Sequence, residues 1–202
     1  MTNYLNHLGA TATFNSRTWG MLRVESASFT EAVDGDLVVF VGDPEASERP
    51  IVRIHSECVF AEAFDSDLCD CADQLRLAME RLRLSGGGIL FYLRLDGRGA
   101  GLCAKVAATK LEVEGLNTYE SRVKIGVPPE GRSFKGVGLY LLEKGIDSIT
   151  MLTNSNSKMD DLVALGIDIR REPLLAKDIN DNIRSLYRAK RDKFGHYIPS
   201  DI

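Results

Sequence analysis

The stretch "ILFYLRLDGRGAGLCAKVAATKLEVEGL", residues 89–116, changes its pattern in the middle. Its first seven residues are apolar except for Arg94, which is typical of a buried strand. "DGRGAGL" then gives a glycine-rich loop, and the residues from Cys103 onward favour a helix. This unit of strand, loop and helix predicts a domain in which helices pack on a sheet.

Upstream of this unit, three short stretches favour strands. They are "WGMLRVESASF", "DLVVFVGD" and "PIVRIHSE", at residues 19–29, 36–43 and 50–57. The short polar segments between them suggest an antiparallel start. "ADQLRLAMERLRLSGGG" then places Leu75, Met79 and Leu82 on one helical face, and we expect residues 86–88, all glycine, to end that helix.

Downstream of residue 116, predicted helices and strands alternate. "FKGVGLYLLEKG" and "SKMDDLVALG" favour helices, the second with Ser157 as N-cap, while "SITMLT" and "IDIRREPL" favour strands. A closing helix is expected at about residues 180–195. The pattern predicts one α+β domain over residues 1–202, strand-rich from 15 to 57, with a mixed β-sheet and flanking helices.

Composition restricts the classes of partner. The 202 residues are 44% hydrophobic, which is ordinary for a globular chain, and their formal net charge of -4 argues against general nucleic-acid binding. The first residues lack a basic start followed by an apolar run, and no segment approaches the run of about 20 apolar residues that a membrane helix needs. We therefore expect a cytoplasmic chain with neither nucleic acid nor membrane as partner.

Three cysteines fall within "HSECVFAEAFDSDLCDC", at Cys58, Cys69 and Cys71. Clustered cysteines in a reducing cytosol more often bind metal or catalyse than form disulfides. Three thiolates with an open fourth position describe a catalytic zinc site, where the metal lowers the pKa of a bound water toward about 7. The alternative is that these small residues fill the core. Cys103 is expected in the core, and His55 is either a ligand, a base or a hydrogen-bonded framework residue.

These motifs carry a resemblance to a known family. "RIHSEC", "CDC", "YLRLDGRGAGL", "GLNTYES", "GRSF" and "LTNSNSK" occur in the order found in GTP cyclohydrolase II, and the likeness covers nearly the whole chain. The resemblance implies one Zn²⁺ per chain on Cys58, Cys69 and Cys71, with Mg²⁺ on the substrate phosphates. It implies that a purine nucleoside triphosphate, GTP, loses formate and pyrophosphate as its imidazole ring opens in riboflavin biosynthesis. It also implies a homodimer.

The resemblance extends to individual site residues. Arg132 in "EGRSF" matches a catalytic arginine, acting either as a nucleophile at the alpha phosphate or by stabilising transition-state charge. Glu130 matches the proton acceptor. The implied substrate contacts are Arg53, His55, Ser56, Glu57, Gln74, Asp96, Gly97, Arg98, Thr118, Thr153 and Lys158. Taken singly, each threonine can equally be a helix cap and the lysine a solvated side chain.

The chain departs from the family pattern around one expected pocket. Phe60, Ala61 and Glu62 stand where the family usually has Thr-Gly-Asp, and Leu68 replaces an arginine. Leu95-Asp96 replaces Gln-Glu, and Glu130 replaces an aspartate. Because the changes cluster, they bear on the substrate or product more than on the fold. Two alternatives therefore stay open: a specialised relative that stops at a formylated pyrimidine or takes a modified purine nucleotide, and a non-catalytic nucleotide-binding zinc protein.

Overall fold

The computed structural model describes residues 7–30 and 35–201. These residues form a seven-stranded sheet in the order β1-β2-β3-β5-β4-β6-β7. The first four strands in that order pair antiparallel, while β5, β4, β6 and β7 pair parallel. The predicted mixed sheet is confirmed. Its strands are β1 Thr11–Ser16, β2 Gly20–Ala27, β3 Asp36–Gly42, β4 Ile51–Ser56, β5 Gly87–Leu93, β6 Ser148–Leu152 and β7 Asp168–Glu172.

Helices flank the sheet, as predicted. The closing helix was expected at about 180–195 and spans Asp181–Phe194. The helices α1 and α4 were not predicted, because they are only 6 and 7 residues long and show no clear helical period. The first strand, β1, was not predicted either. The α-helices are α1 Val59–Phe64, α2 Cys71–Leu84, α3 Gly101–Val113, α4 Thr118–Lys124, α5 Lys135–Glu143, α6 Asn156–Val163 and α7 Asp181–Phe194.

Both faces of the central strands are buried, so the described residues make three layers. In β3, Val38 and Phe40 pack in one cluster with α5 and α6, while Val39 and Val41 pack in another with α2. Successive strand residues point to opposite faces, and a strand covered on both sides is therefore apolar throughout. This explains why "DLVVFVGD" shows a continuous apolar run rather than alternation.

Four local predictions were wrong. α2 ends at Leu84, and Gly87 and Gly88 belong to β5, where a Cβ on Gly88 would lie 2.3 Å from a Leu82 methyl. The glycines therefore allow α2 to pack closely on the sheet. α6 begins at Asn156 with Ser155 before it, so Ser157 lies inside the helix. Cys103 is exposed rather than in the core, and strand structure begins at residue 11 rather than 15.

The sheet sets the position of the polar cluster described below. β4 lies between β5 and β6 and runs parallel to both, so the carboxyl ends of the three strands meet at one edge of the sheet. The segments that follow these strands carry Cys58, Asp96 to Arg98, and Thr153. Ligand sites of parallel sheets commonly lie at this edge. No helix in residues 7–30 or 35–201 is both long and apolar enough to span a membrane.

Candidate active site

The three cysteines predicted as ligands come together. Their sulfur atoms all lie within 4.8 Å of one another, and the Sγ atoms of Cys58 and Cys69 are 3.6 Å apart. Cys58 follows β4, whereas Cys71 is the first residue of α2, so strand and helix each fix one ligand. Hydrogen bonds from the thiols of Cys69 and Cys71 lower the pKa of Cys58, with a further contribution from Lys105. The cluster can hold a metal ion.

A buried lysine that the sequence analysis missed supports this cluster. Lys105 of α3 donates from Nζ to Cys58 Sγ at 3.0 Å and to Asp96 Oδ1 at 2.6 Å. Burial alone would lower the pKa of Lys105, but these two partners raise it, so the ammonium group stays charged. A lysine within an ordinary amphipathic stretch gives no sequence signal of this role.

Asp96 reaches the site, but its carboxylate is used within the protein. Oδ1 accepts from the Gly97 amide at 2.6 Å as well as from Lys105, and Oδ2 accepts from the Val59 amide at 3.0 Å. These bonds tie the loop after β5 to the start of α1. Asp96 therefore acts as a framework residue in this structure, whereas the resemblance implied a substrate contact.

The glycine-rich loop turns sharply after Asp96. Gly97 and Arg98 both have left-handed backbone angles, with φ of 62° and 59°. A non-glycine residue in this region is strained, which is common at functional sites. The turn aims the Arg98 side chain at Glu130, with Nη1 donating to Oε2 at 3.2 Å, and the Gly131 amide donates to the Arg98 carbonyl at 3.2 Å.

Glu130 organises the second arginine. Arg132 donates from Nε to Glu130 Oε1 at 2.6 Å and from Nη2 to Glu130 Oε2, so the pair is bidentate. Burial would raise the pKa of Glu130, but hydrogen bonds and charge from Arg132, together with Arg98, lower it to about 2. Arg132 Nη1 also reaches Ser56 Oγ at 3.3 Å, which joins this loop to the end of β4.

Two further cations are buried beneath the same edge. Arg53 of β4 donates to the Leu152 carbonyl and to Gln74 Oε1, at 2.9 and 2.8 Å, and burial lowers the pKa of Arg53 to about 10. Lys158 of α6 donates to the Ile54 carbonyl at 2.8 Å. Burial, followed by the charges of Arg53 and Arg132, lowers the pKa of Lys158 well below its usual value. Cations destabilised in this way favour an anionic ligand.

His55 takes the framework role rather than that of a metal ligand. Its Nε2 lies 2.9 Å from Glu62 Oε1, and that oxygen also accepts from the Cys58 amide at 2.8 Å. Tyr92 donates to Glu62 Oε2 at 2.6 Å. Burial lowers the pKa of His55 despite the carboxylate, so the imidazole is neutral at pH 7. Glu62, one of the departures from the family pattern, thus positions the backbone of the first cysteine.

A cavity of about 170 Å³ connects these groups. Every predicted ligand and substrate contact lines it, and of the two predicted catalytic residues Arg132 lines it while Glu130 lies behind Arg132. Ser56 is the last residue of β4 and Glu57 follows it. Glu57 accepts a hydrogen bond from Arg94 Nε at 2.8 Å. Thr118 accepts from Arg122 Nη1 at 2.8 Å, and Thr153 accepts from the Ser155 amide at 3.1 Å. Residues on and after α7 also line the cavity: Leu186, Tyr187, Lys190, His196 and Ile198.

This combination of three thiols and buried arginines can be compared with known proteins. The sequence model of a family described as GTP cyclohydrolase II matches residues 8–173. The chain belongs to the GTP cyclohydrolase II family. The α+β fold and the resemblance seen in the sequence are thereby confirmed.

Relatives in the GTP cyclohydrolase II family match most of the chain. It is similar to the GTP cyclohydrolase-2 of Teredinibacter turnerae, 35% identical over 183 residues that cover 91% of this chain and 92% of the relative. The GTP cyclohydrolase-2 of Neisseria meningitidis is 37% identical over 180 residues, covering 88% and 90%. The riboflavin biosynthesis protein RibBA of Bacillus subtilis is 36% identical over 174 residues, which are 84% of this chain but 44% of that relative.

Proposed function

We propose that the chain is a zinc-dependent cyclohydrolase that opens the imidazole ring of GTP and releases formate and pyrophosphate. One observation carries the proposal: three cysteine sulfurs within 4.8 Å of one another share a cavity with four cationic side chains, of which Arg53 and Lys158 are buried and Arg98 and Arg132 are partly buried. The sulfurs suit a metal, and the cations suit a triphosphate. Curated relatives named GTP cyclohydrolase-2 support the assignment of the substrate.

Cys58, Cys69 and Cys71 would hold the zinc. Thiolate ligands suit this metal, and the residues present fit it because Lys105 stabilises a thiolate at Cys58. Three protein ligands leave a coordination position free, as in catalytic zinc sites. When bound, zinc supplies the Lewis acidity that lets water act as a nucleophile near neutral pH.

Four cations would bind the phosphates: Arg53, Arg98, Arg132 and Lys158. Guanidinium groups match phosphate oxygens in bidentate geometry, and Lys158 adds a buried point charge. Burial and, after it, the charges of Arg53 and Arg132 lower the pKa of Lys158, and the repulsion among these groups is relieved when the anion enters. Mg²⁺ accompanies the phosphates in this proposal. Cations already held in place by the protein would orient the triphosphate.

For Arg132 we favour charge stabilisation over nucleophilic attack. A guanidinium group stays protonated in proteins and offers only hydrogen-bond donors, so it has no lone pair available for attack. We therefore assign to Arg132 the stabilisation of charge at the transferring phosphoryl group, while Glu130 holds the orientation of Arg132.

The nucleobase end supports a second candidate, a specialised relative with an altered base or a formylated product. Asp96 is engaged by Lys105 and two backbone amides, and Leu68 and Leu95 line the cavity where the family pattern has polar residues. These changes reduce the polar contacts available to a base. Homodimer assembly and a single domain over residues 1–202 stay predictions.

The test is incubation of the purified chain with GTP, Zn²⁺ and Mg²⁺, followed by assays for formate and pyrophosphate and mass spectrometry of the pyrimidine. We expect Arg132→Ala to lower kcat by about 100-fold to 1,000-fold, the usual loss of one transition-state donor. Cys69→Ser should lose bound zinc and activity together. Arg83→Ala on the exposed side of α2 is the matched control.

Outcomes separate the candidates. Formate with a deformylated pyrimidine supports the leading proposal, and a pyrimidine that retains the formyl group supports the specialised relative. The same assay with other purine nucleoside triphosphates separates GTP from a modified substrate. Nucleotide binding without formate from any of them, and unaffected by Arg132→Ala, would refute catalysis.

A further inference from the structure

Asp70 stands between two of the proposed metal ligands and has no assigned role. It is the residue between Cys69 and Cys71, and it is fully buried at 0% exposure. A buried carboxylate requires partners, because an uncompensated charge in the interior is costly. The hydrogen-bond partners of Asp70 therefore indicate its structural role.

The carboxylate of Asp70 does not cap the backbone of the helix that follows it. Asp70 is the N-cap residue of α2, where an aspartate side chain normally accepts a backbone amide of the first turn, yet it makes no such bond. Its oxygens instead accept from Lys190 Nζ at 3.0 Å and Tyr187 OH at 2.6 Å, both on α7. The third donor is Gln74 Nε2, at 2.6 Å.

α7 holds two of the three donors to Asp70, Tyr187 and Lys190, in place. Tyr187 and Lys190 are three residues apart, so they lie on the same face of the helix. Tyr187 is 1% exposed and packs with Ile183 and Ile198, and its hydroxyl also accepts from the Ala176 amide at 3.1 Å. The family match ends at residue 173, so α7 lies beyond it.

The network also extends toward the proposed phosphate site. Gln74 donates to Asp70 through Nε2 and accepts from Arg53 through Oε1 at 2.8 Å. Both ends of this amide are used within the protein, so Gln74 links the ligand turn to a buried cation. The resemblance had implied a base contact for Gln74, which this arrangement does not favour.

We propose that Tyr187 and Lys190 of α7 are positioning residues that hold Asp70 and thereby orient the sulfurs of Cys69 and Cys71 for metal binding. Fixing the side chain of the central residue fixes the backbone on either side of it. Partners behind the ligands of a metal site commonly change metal affinity by about 10-fold to 100-fold. The inference rests on the proposed zinc at the three cysteines and not on the identity of the nucleotide.

The experiment measures the zinc dissociation constant of the full chain by competition with a chromophoric chelator. We expect Lys190→Met to weaken zinc binding about 10-fold or more, and Tyr187→Phe to weaken it by a smaller factor. Lys190→Arg, which keeps a donor and the charge, should restore most of the affinity. Arg188→Met removes a charge from an exposed position on the same helix and should leave the affinity unchanged.

Circular dichroism melting of each variant separates folding from metal affinity. If Lys190→Met fails to fold, Tyr187→Phe carries the test, because the ring stays in its apolar contacts. Zinc affinities of Lys190→Met and Tyr187→Phe equal to that of the wild type would overturn the inference and leave the proposed function standing. A wild-type chain that binds no zinc would overturn the inference together with the proposed metal.

Discussion

Replacing Glu130 with glutamine tests how the two arginines of the site are held. Glu130 accepts from Arg132 through both carboxylate oxygens and from Arg98 through one of them. A glutamine keeps the shape, but its amide nitrogen is a donor and meets a guanidinium that offers only donors. We therefore expect Glu130→Gln to lower the free energy of unfolding at pH 7.

The magnitude follows from the pKa of Glu130. The value of about 2 lies about 2.5 units below the usual 4.5, and at 1.36 kcal/mol per unit the ionised carboxylate contributes about 3 kcal/mol. A carboxyl group with a lowered pKa stabilises the fold above its unfolded-state pKa, and this contribution is lost as pH falls through the folded-state value. The window therefore runs from about pH 4.5 down to about pH 2, and between pH 7 and pH 3 about 2 kcal/mol is lost.

Urea unfolding of wild type and Glu130→Gln at pH 7 and at pH 3 measures this quantity. Loss of metal from the cysteines in acid affects both proteins, so the difference between them isolates Glu130. We expect the wild type to be more stable by about 3 kcal/mol at pH 7, and this advantage to shrink by about 2 kcal/mol at pH 3. An advantage that is absent at pH 7, or that does not change with pH, would refute the reasoning.

Two further predictions concern α3. Lys105→Met should lower the free energy of unfolding by about 3 kcal/mol, because it leaves the buried Asp96 carboxylate without its ammonium partner. Urea unfolding measures this change. Lys110→Met, on the exposed side of α3, is the control. Cys103 is exposed, so a chromogenic disulfide reagent should label one thiol rapidly in the zinc-loaded protein. In Cys103→Ser it should label none rapidly. Rapid labelling of several thiols in the zinc-loaded protein would contradict a cysteine cluster held by the metal.

Periodicity predicted the longer elements well. The buried strands β3, β4 and β5 and the long helices α2 and α7 were all predicted near their actual bounds, because each buries a regular apolar pattern. The short helices α1 and α4 were not predicted, since one or two turns are too short to show a helical period of apolar residues. Gly87 was misread as a helix stop, because glycine marks close backbone approach in a strand as readily as a helix end.

At the site, motif positions located about half of the residues that line the cavity but not the partners of each group. "HSEC", "CDC", "DGRG" and "GRSF" correctly indicated residues that share one cavity. No sequence pattern indicates the roles of Lys105 and Tyr187, which are 47 and 117 residues from their polar partners Cys58 and Asp70. Such pairs become neighbours only when separate elements pack.

The sequence by itself determined the family, the mixed α+β fold and the three-cysteine cluster, because local patterns and ordered motifs are written along the chain. Only the tertiary structure decided which carboxylates are free to contact a substrate and which are already bound by other groups of the protein. Asp96 is bound by Lys105, Asp70 by α7, and Glu130 by two arginines. A buried charge is set by the groups that surround it in space, and those groups come from distant parts of the chain.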